Sequence, residues 1–346
     1  MNATIALFLV QDGIISGAIY ALLGVTLVLV FAVTRVIFVP QGEFVAWGAL
    51  TVAALEAGTV PGTAWLLAGL GIAAGLLEII RERSTLTPAA FGRILARDIA
   101  APLALLAVVI WIAPMKPGLL FQIAVALALL VPMGPLVYRL AFQPLADASV
   151  LVLFIAAIGV HFTLVGLGLL FFGAEGVRNT PFIDASFPLG PMMVKAQSIW
   201  VLVVTALVLA GLYLFFERTM AGKALRATAV NRLGARLVGI PVSATGRYAF
   251  ALAAAIGAVS GILIGPLTTI YYDTGFLIGL KGFVAAIIAG LASYPLTALA
   301  ALLVGLLESY SAFFASAFKE VIVFSLLIPV LLWRSFAGGH HDDEEE

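Results

Sequence analysis

The chain reads as an all-α polytopic membrane protein, with about 10 to 11 transmembrane or re-entrant helices in a single domain over residues 1 to 336. Three observations lead there. Hydrophobic residues make up 63% of the 346 positions and charged residues only 10%, against roughly 45 to 50% apolar, glycine included, in a soluble domain. Uncharged runs of spanning length recur at 13 to 34, 57 to 77, 117 to 138, 148 to 174, 196 to 216, 248 to 272 and 282 to 307, and runs near or above about 18 apolar residues read as membrane helices. The charges that remain fall between such runs rather than within them. A soluble globular class is excluded.

About eleven apolar segments follow in order: 4 to 34, 36 to 57, 62 to 80, 99 to 113, 119 to 141, 148 to 172, 198 to 217, 246 to 270, 276 to 291, 295 to 317 and 320 to 336. With the N-terminus outside, alternation puts 13 of the 18 basic residues on one face, all but Lys116, Arg178, Lys195, Lys281 and Lys319. The positive-inside bias makes that face cytoplasmic. No basic residue precedes Arg35 and no cleavage site follows a short apolar core, so the first span is expected to stay in the mature protein. The formal net charge of zero says nothing about partners, and the absence of cysteine excludes disulfides and thiolate chemistry.

Between the spans, residues 81 to 98 read as a solvated basic loop inside the cell, with Thr87 and Pro88 as N-cap and first position of a short surface helix. Residues 173 to 197 read as an irregular outer cap rich in Gly and Pro. Residues 337 to 346 form an acidic tail, in which His340 and His341 are solvated rather than metal-binding. Gly13 and Gly17, Gly71 and Gly75, and Gly257, Gly261 and Gly265 repeat at spacing four, which lets neighbouring helices approach closely.

Two places break the helical pattern at membrane depth: VPQGEF at 39 to 44, and 275 to 295 with its glycines and Pro295. Irregular backbone in a bilayer survives only where protein buries it or a cavity is lined by it. GEFVA at 42 to 46 faintly echoes GFVA at 282 to 285, and paired interruptions in two halves of a transporter point to the substrate path. Ionisable groups within spans cost about 2.5 to 3.5 kcal/mol each on insertion scales, so Asp12, Glu43, His161, Lys281 and Glu308 each want a reason. Asp12 suits the outer interface and His161 a hydrogen-bonded packing role. Glu43 either faces the path or caps the new helix. Lys281 either snorkels outward or pairs with Glu308, for which Ser311 is the other neighbour.

The stretch 218 to 241, RTMAGKALRATAVNRLGARLVGIP, carries five basic residues and no carboxylate. Leu225, Ala229, Leu233 and Leu237 recur every four residues, which predicts one side of an amphipathic helix stopped by Gly239 and Pro241. A membrane-surface anchor and a docking element for a partner are both open to it. No phosphate-binding loop, H-E-x-x-H or paired Cys/His set occurs, so the chain is not expected to be an enzyme, and uphill transport would need energy from elsewhere.

DGIISGAIYALLGVTLVLVFAVTRVIFVPQGEF at 12 to 44 resembles the first-helix signature of branched-chain amino acid ABC importer permeases of the LivH type, through Gly13, Gly17, Tyr20, Ala21, Leu22, Gly42, Glu43 and Phe44. The segment 222 to 240 is similar to that family's cytoplasmic coupling loop, at Gly222, Ala224, Leu225, Arg226, Ala227, Asn231, Ala235, Leu237, Gly239 and Ile240. GFLIGLKGFVAAIIAGLASYP and LLVGLLESY resemble its late spans, at Gly275, Phe276, Lys281, Phe283, Gly290, Ser293, Pro295, Gly305 and Glu308. The likeness covers about 1 to 60 and 119 to 336 and leaves 61 to 118 as an extra two-span insertion. Gln41 stands where the family commonly has His, Asp12 where it has Asn, and Ala292 where it has Gly.

The resemblance implies a multi-pass permease subunit of the bacterial cytoplasmic (inner) membrane. Its implied partners are a second, LivM-like permease, two ABC ATPases that use the ATP, a periplasmic solute-binding protein and lipid, with no nucleic acid and no cofactor or metal on this chain. It implies a substrate path at Tyr20, Gln41, Gly42, Glu43, Phe44, Lys281, Gly282 and Glu308, and ATPase coupling at Gly222, Arg226, Asn231, Ala235, Arg236 and Gly239. Branched-chain amino acids lead as solute; urea, short amides or other small polar solutes are the alternative, and an ATP-independent secondary transporter is a further one.

Overall fold

A computed structural model describes residues 3 to 338 apart from 82, 84 to 86 and 191; His340 and His341 lie outside the described residues. Nine helices among these are long and apolar enough to cross a membrane, and Thr274–Ile288 is a shorter apolar helix. In chain order the helices are α1 (Ala3–Thr34), α2 (Gln41–Ala57), α3 (Gly62–Arg81), α4 (Pro88–Ile94), α5 (Ala101–Ile112), α6 (Leu119–Val137), α7 (Val150–Phe172), α8 (Ala196–Arg218), α9 (Met220–Val230), α10 (Arg232–Leu237), α11 (Val242–Ile264), α12 (Thr274–Ile288), α13 (Tyr294–Phe314), α14 (Lys319–Ser325) and α15 (Leu327–Gly338).

The core is set by α1, which packs against α13, α12 and α11. Gly13 lies against Leu306, Gly17 against Leu302 and Gly24 against Thr297, so partners descend one helix as they rise along the other and the two are antiparallel. Gly305 returns the fit by lying on the backbone of Gly13 and Gly17. Lipid offers no hydrophobic drive for association, so this close backbone approach supplies the packing energy.

After α1 the chain turns at Arg35, which adopts φ 60°, and runs back through Phe38 to Pro40. There α2 begins. The Gln41 amide donates to the carbonyl of Leu23 at 3.3 Å, which lies about 16 Å from the end of α1 by helix rise. The first turn of α2 therefore sits deep between helices, and α2 runs on packed against α11, α12 and α6. It ends at Gly58, φ 81°, whose left-handed backbone lets Gly58 and Thr59 amides bond the last carbonyls.

The late break has the same form with opposite polarity. Gly265, at the end of α11, lies against Asn179 and against Ala49 at the middle of α2. The chain then doubles back, bridged at Ile270 to Val177, until Gly275 in the first turn of α12 meets the backbone of Gly42. From there Gly282 packs on Leu23 and Gly24, and Ala286 joins Leu27 and Val28, so α12 runs parallel to α1. Gly42 thus meets Gly275, while Gly282 of the GFVA echo packs on α1. Each half-helix starts in the interior, and the two starts touch.

Three local expectations are corrected. Thr87 does accept from the Ala90 amide at 3.2 Å with Pro88 next, yet the helix continues into the following span as one apolar unit, Pro88–Met115. Residues 81 to 98 are not simply a solvated loop, since Asp98 is 2% exposed and ion-paired. The outer segment 173 to 197 is not wholly irregular: Ser186–Leu189 pairs antiparallel with Met192–Lys195.

A methyl group on Gly17 would strike the Leu302 backbone, which cannot move without separating α1 from α13. Gly17→Val is expected to destabilise the folded protein by about 2 kcal/mol or more, seen as a lower thermal midpoint in detergent, whereas Gly69→Ala, where a Cβ meets nothing, should leave it unchanged.

Candidate functional site

The two faces of α12 divide the residues expected on the path into two clusters. On the α2 side, Glu43 is 1% exposed and its Oε1 lies 2.8 Å from His161 Nδ1 on α7. The His161 ring packs on Phe276, with centroids 4.5 Å apart. Glu43 Oε2, Gln41 Oε1 and Trp47 Nε1 are buried without a hydrogen-bond partner. Burying such atoms unpaired costs energy, so one turn and a half of α2 presents two acceptors and a donor to whatever can satisfy them. The backbone of Gly42 fills the crossing with Gly275.

On the other side, Lys281 Nζ lies 2.5 Å from Glu308 Oε1 and 3.2 Å from Glu320 Oε1. The Tyr20 hydroxyl donates to the second oxygen of Glu308, and the ammonium stands 5.8 Å from the Tyr20 ring centre. Four helices, α1, α12, α13 and α14, thus meet in one knot, buried at Lys281 and Tyr20 and partly exposed at Glu320. Glu308 takes Lys281 as its partner, not Ser311, and Lys281 is buried instead of snorkelling outward. Gly282 lies between the clusters, against α1. Phe44 belongs to neither: it packs with Phe38 and Trp47 in an aromatic group completed by Tyr138, Phe142 and Phe250.

The basic element does not form one helix. Asn231, at φ −152°, ends α9 and caps α10, its Oδ1 accepting from the Gly234 amide at 2.8 Å. Asn side chains favour such caps because they replace the missing helical acceptor. The break rotates the apolar stripe: Leu225 is fully buried, while Leu233 and Leu237 are 67% and 80% exposed. Gly222 abuts the backbone of Phe215, Arg226 pairs with Glu217 at 2.6 Å, and Ala235 is buried. Arg236 reaches Asp147 at 3.6 Å across an exposed surface, a weak pair in water. Gly239, at φ 85°, closes α10, with its amide on Arg236 and the Ile240 amide on Ala235, the paired bonding of a left-handed cap. The base of α9 packs on α8, α1 and α11.

Residues 92 to 331 match a family described as branched-chain amino acid transport system / permease component. The chain belongs to this family. It is 33% identical over 208 residues to the high-affinity branched-chain amino acid transport system permease protein BraD of Pseudomonas aeruginosa, covering 58% of this chain and 68% of that relative. It is 30% identical over 201 residues to the corresponding permease protein LivH of Escherichia coli, covering 56% and 65%. A probable LivH of Methanocaldococcus jannaschii is 30% identical over 209 residues, covering 57% and 65%. The chain thus spans about two thirds of the length of these relatives. The protein is a transport permease, a conduit and not an enzyme. The family match takes in α5 to α14, the basic element and the Lys281, Glu308 and Glu320 ion pairs, and opens at residue 92, within the stretch 61 to 118.

Sequence reading passed over Glu320 and Trp47, and over the ion pairs of Glu78, Arg97, Asp98 and Arg139 on the permease's arginine-rich face. Glu320 carried a usable signal, an acid opening an apolar span. Lys281 is the one cation bridging Glu308 and Glu320, and Glu320 also has Lys319 at 3.8 Å, so Lys281→Met, which leaves Glu308 largely buried without a cation, is expected to cost about 3 kcal/mol. Adding Glu308→Gln should recover part of the lost thermal midpoint, and no recovery would show that the pair is not the source.

Proposed function

We propose that this chain is the permease subunit of an ATP-driven importer for branched-chain or similar small amino acids, working in the bacterial inner membrane. Its partners on this reading are a second, LivM-like permease, two ABC ATPases and a periplasmic binding protein. The relatives' names support the solute class, and the family supports the complex. The observation that carries the reading is the α9–α10 element. Its inner face packs on α1 and α11, the two full crossings that precede the two breaks, and its outer face leaves Leu233, Leu237 and Val238 exposed beside Arg236. An apolar and basic surface on a pinned lever suits docking of an ATPase, and displacement of α1 and α11 would reach both half-helix starts. Gly222, Arg226, Asn231, Ala235 and Gly239 hold the lever's shape, and the ATP is bound and hydrolysed by the partners.

The solute would pass the junction of α2 and α12. Glu43 and Gln41 supply acceptors for an ammonium group there, and Trp47 a donor for a carboxylate. Tyr20, Lys281, Gly282 and Glu308 enter the path only when the Lys281 knot opens. A shift between two states must come from differential binding by ATP-bound and ATP-free partners.

Leu233→Asp with Leu237→Asp should reduce leucine uptake by the reconstituted complex about tenfold or more, since charge in a docking face costs at least about 1.4 kcal/mol. Membrane insertion should be unchanged, and undiminished uptake with full stimulation of ATPase by loaded binding protein would overturn the coupling reading. Glu43→Gln is expected to raise the solute concentration for half-maximal uptake while the complex still assembles; wild-type kinetics would remove Glu43 from the path. Uptake of urea in preference to leucine would overturn the solute class.

A further inference from the structure

On the arginine-rich face, two prolines open the helices that carry one ion network. Pro102 and Pro144 each lack an N–H, and each ring crowds the carbonyl four residues earlier. Asp98 and Leu140 are those residues, and both lie in wide i to i+5 turns, Leu95–Ala100 and Tyr138–Phe142. The turns present Asp98 and Arg139 to each other. Arg139 holds both oxygens of Asp98, at 2.7 and 3.1 Å, and Arg97 does so at 2.9 and 2.8 Å. Both arginines also reach Glu78. Two cations are thereby matched by two carboxylates.

Two further arginines are not matched. Arg81 and Arg247 line a cavity of about 310 Å³ with Arg139, Glu78 and Gln143, and neither has an ion-pair partner among the described residues. This basic cavity adjoins a groove of about 350 Å³ that shares Arg139 and Arg247, takes in Arg97, Asp98 and Tyr248 at its charged end, and is apolar along Pro102, Pro132, Leu136 and Ala251. On α5, α6 and α11 alike these apolar residues lie one or two turns, about 5 to 10 Å, deeper in the membrane than the charged end. A surplus of positive charge thus caps a furrow running into the hydrocarbon layer.

We propose that this is a binding site for one anionic glycerophospholipid of the cytoplasmic leaflet, its phosphate between Arg81 and Arg247 and one acyl chain in the furrow. The charge bias places this face in the cytoplasm, where anionic headgroups meet basic pockets between helices. A soluble phosphate would fill the basic end and leave the furrow unused. α3, the wide turn Leu95–Ala100 and α5, which build one wall, lie in the stretch 61 to 118, so the site gives that stretch a task independent of the transported solute.

The test is lipid retention by the purified permease, read by native mass spectrometry after washing in neutral detergent and titration with phosphatidylglycerol or phosphatidylcholine. Phosphatidylglycerol should be retained and should raise the thermal midpoint; phosphatidylcholine should do neither. Arg81→Gln with Arg247→Gln should weaken phosphatidylglycerol binding roughly tenfold or more, from about 1 kcal/mol for each basic residue near an anionic surface. Among the described residues these two arginines make no ion pair, and an unchanged midpoint in phosphatidylcholine would show the variant folded. Lys223→Gln, an exposed cation on the same face, should bind as the parent does. Equal retention of both lipids, or a double variant that binds phosphatidylglycerol like the parent, would overturn the proposal. So would full competition by inorganic phosphate or glycerol phosphate, which would assign the cavity to a soluble anion.

Discussion

Every backbone N–H and C=O that lies in hydrocarbon must find its partner within the protein. That constraint explains why the chain is helical almost throughout, and why its two interior breaks lie where other helices cover them. The first, between Arg35 and Gln41, is enclosed by Phe38, Phe142 and Phe250 and tied to α1 through Gln41. The second, after Gly265, is held by Asn179 donating to Ala49 and by the bridge from Val177 to Ile270. Glycine makes both possible, because only backbone without a side chain allows Gly42 and Gly275 to meet.

The charged groups follow from the same economy. Glu43 has His161, Lys281 has Glu308 and Glu320, and Asp98 has two arginines. Each group ties together helices distant in the chain, so each is also a constraint on how those helices move. The knot at Lys281 joins α12 to α1, α13 and α14, while Glu43 joins α2 to α7. α12 therefore stands between two polar clusters that a moving solute and a moving lever would both disturb.

Much of the fold was legible because spanning length and charge placement are properties of local sequence. Ten of the apolar segments read from it lie within a few residues of single helices or helical units, and the last is divided into α14 and α15. The basic stretch was legible in position and not in shape: a period of four ran through Asn231, and nothing in periodicity alone tells an Asn that continues a helix from one that caps the next. The candidate site was legible as residues and not as groupings. Glu43 with His161, and Lys281 with Glu320, are pairings across the fold, set by which face of each helix is turned inward. The Arg97, Asp98 and Arg139 network was hidden for another reason, since it depends on wide turns seeded by prolines four residues away.

The two glycine seams differ in texture. Between α1 and α13, the backbones meet and the Cδ2 methyls of Leu302 and Leu306 also seat into the notches at Gly17 and Gly13, like teeth in a rack, so sliding one helix along the other would lift both teeth at once. Between α2 and α12 the contact at Gly42, Gly275 and Gly279 is backbone on backbone, a smooth bearing with no cog to disengage. Packed interfaces shift by discrete jumps where side chains interlock. The α1–α13 pair is accordingly the more firmly keyed of the two seams, and what holds α12 in place along α2 is the Lys281 knot on its other side.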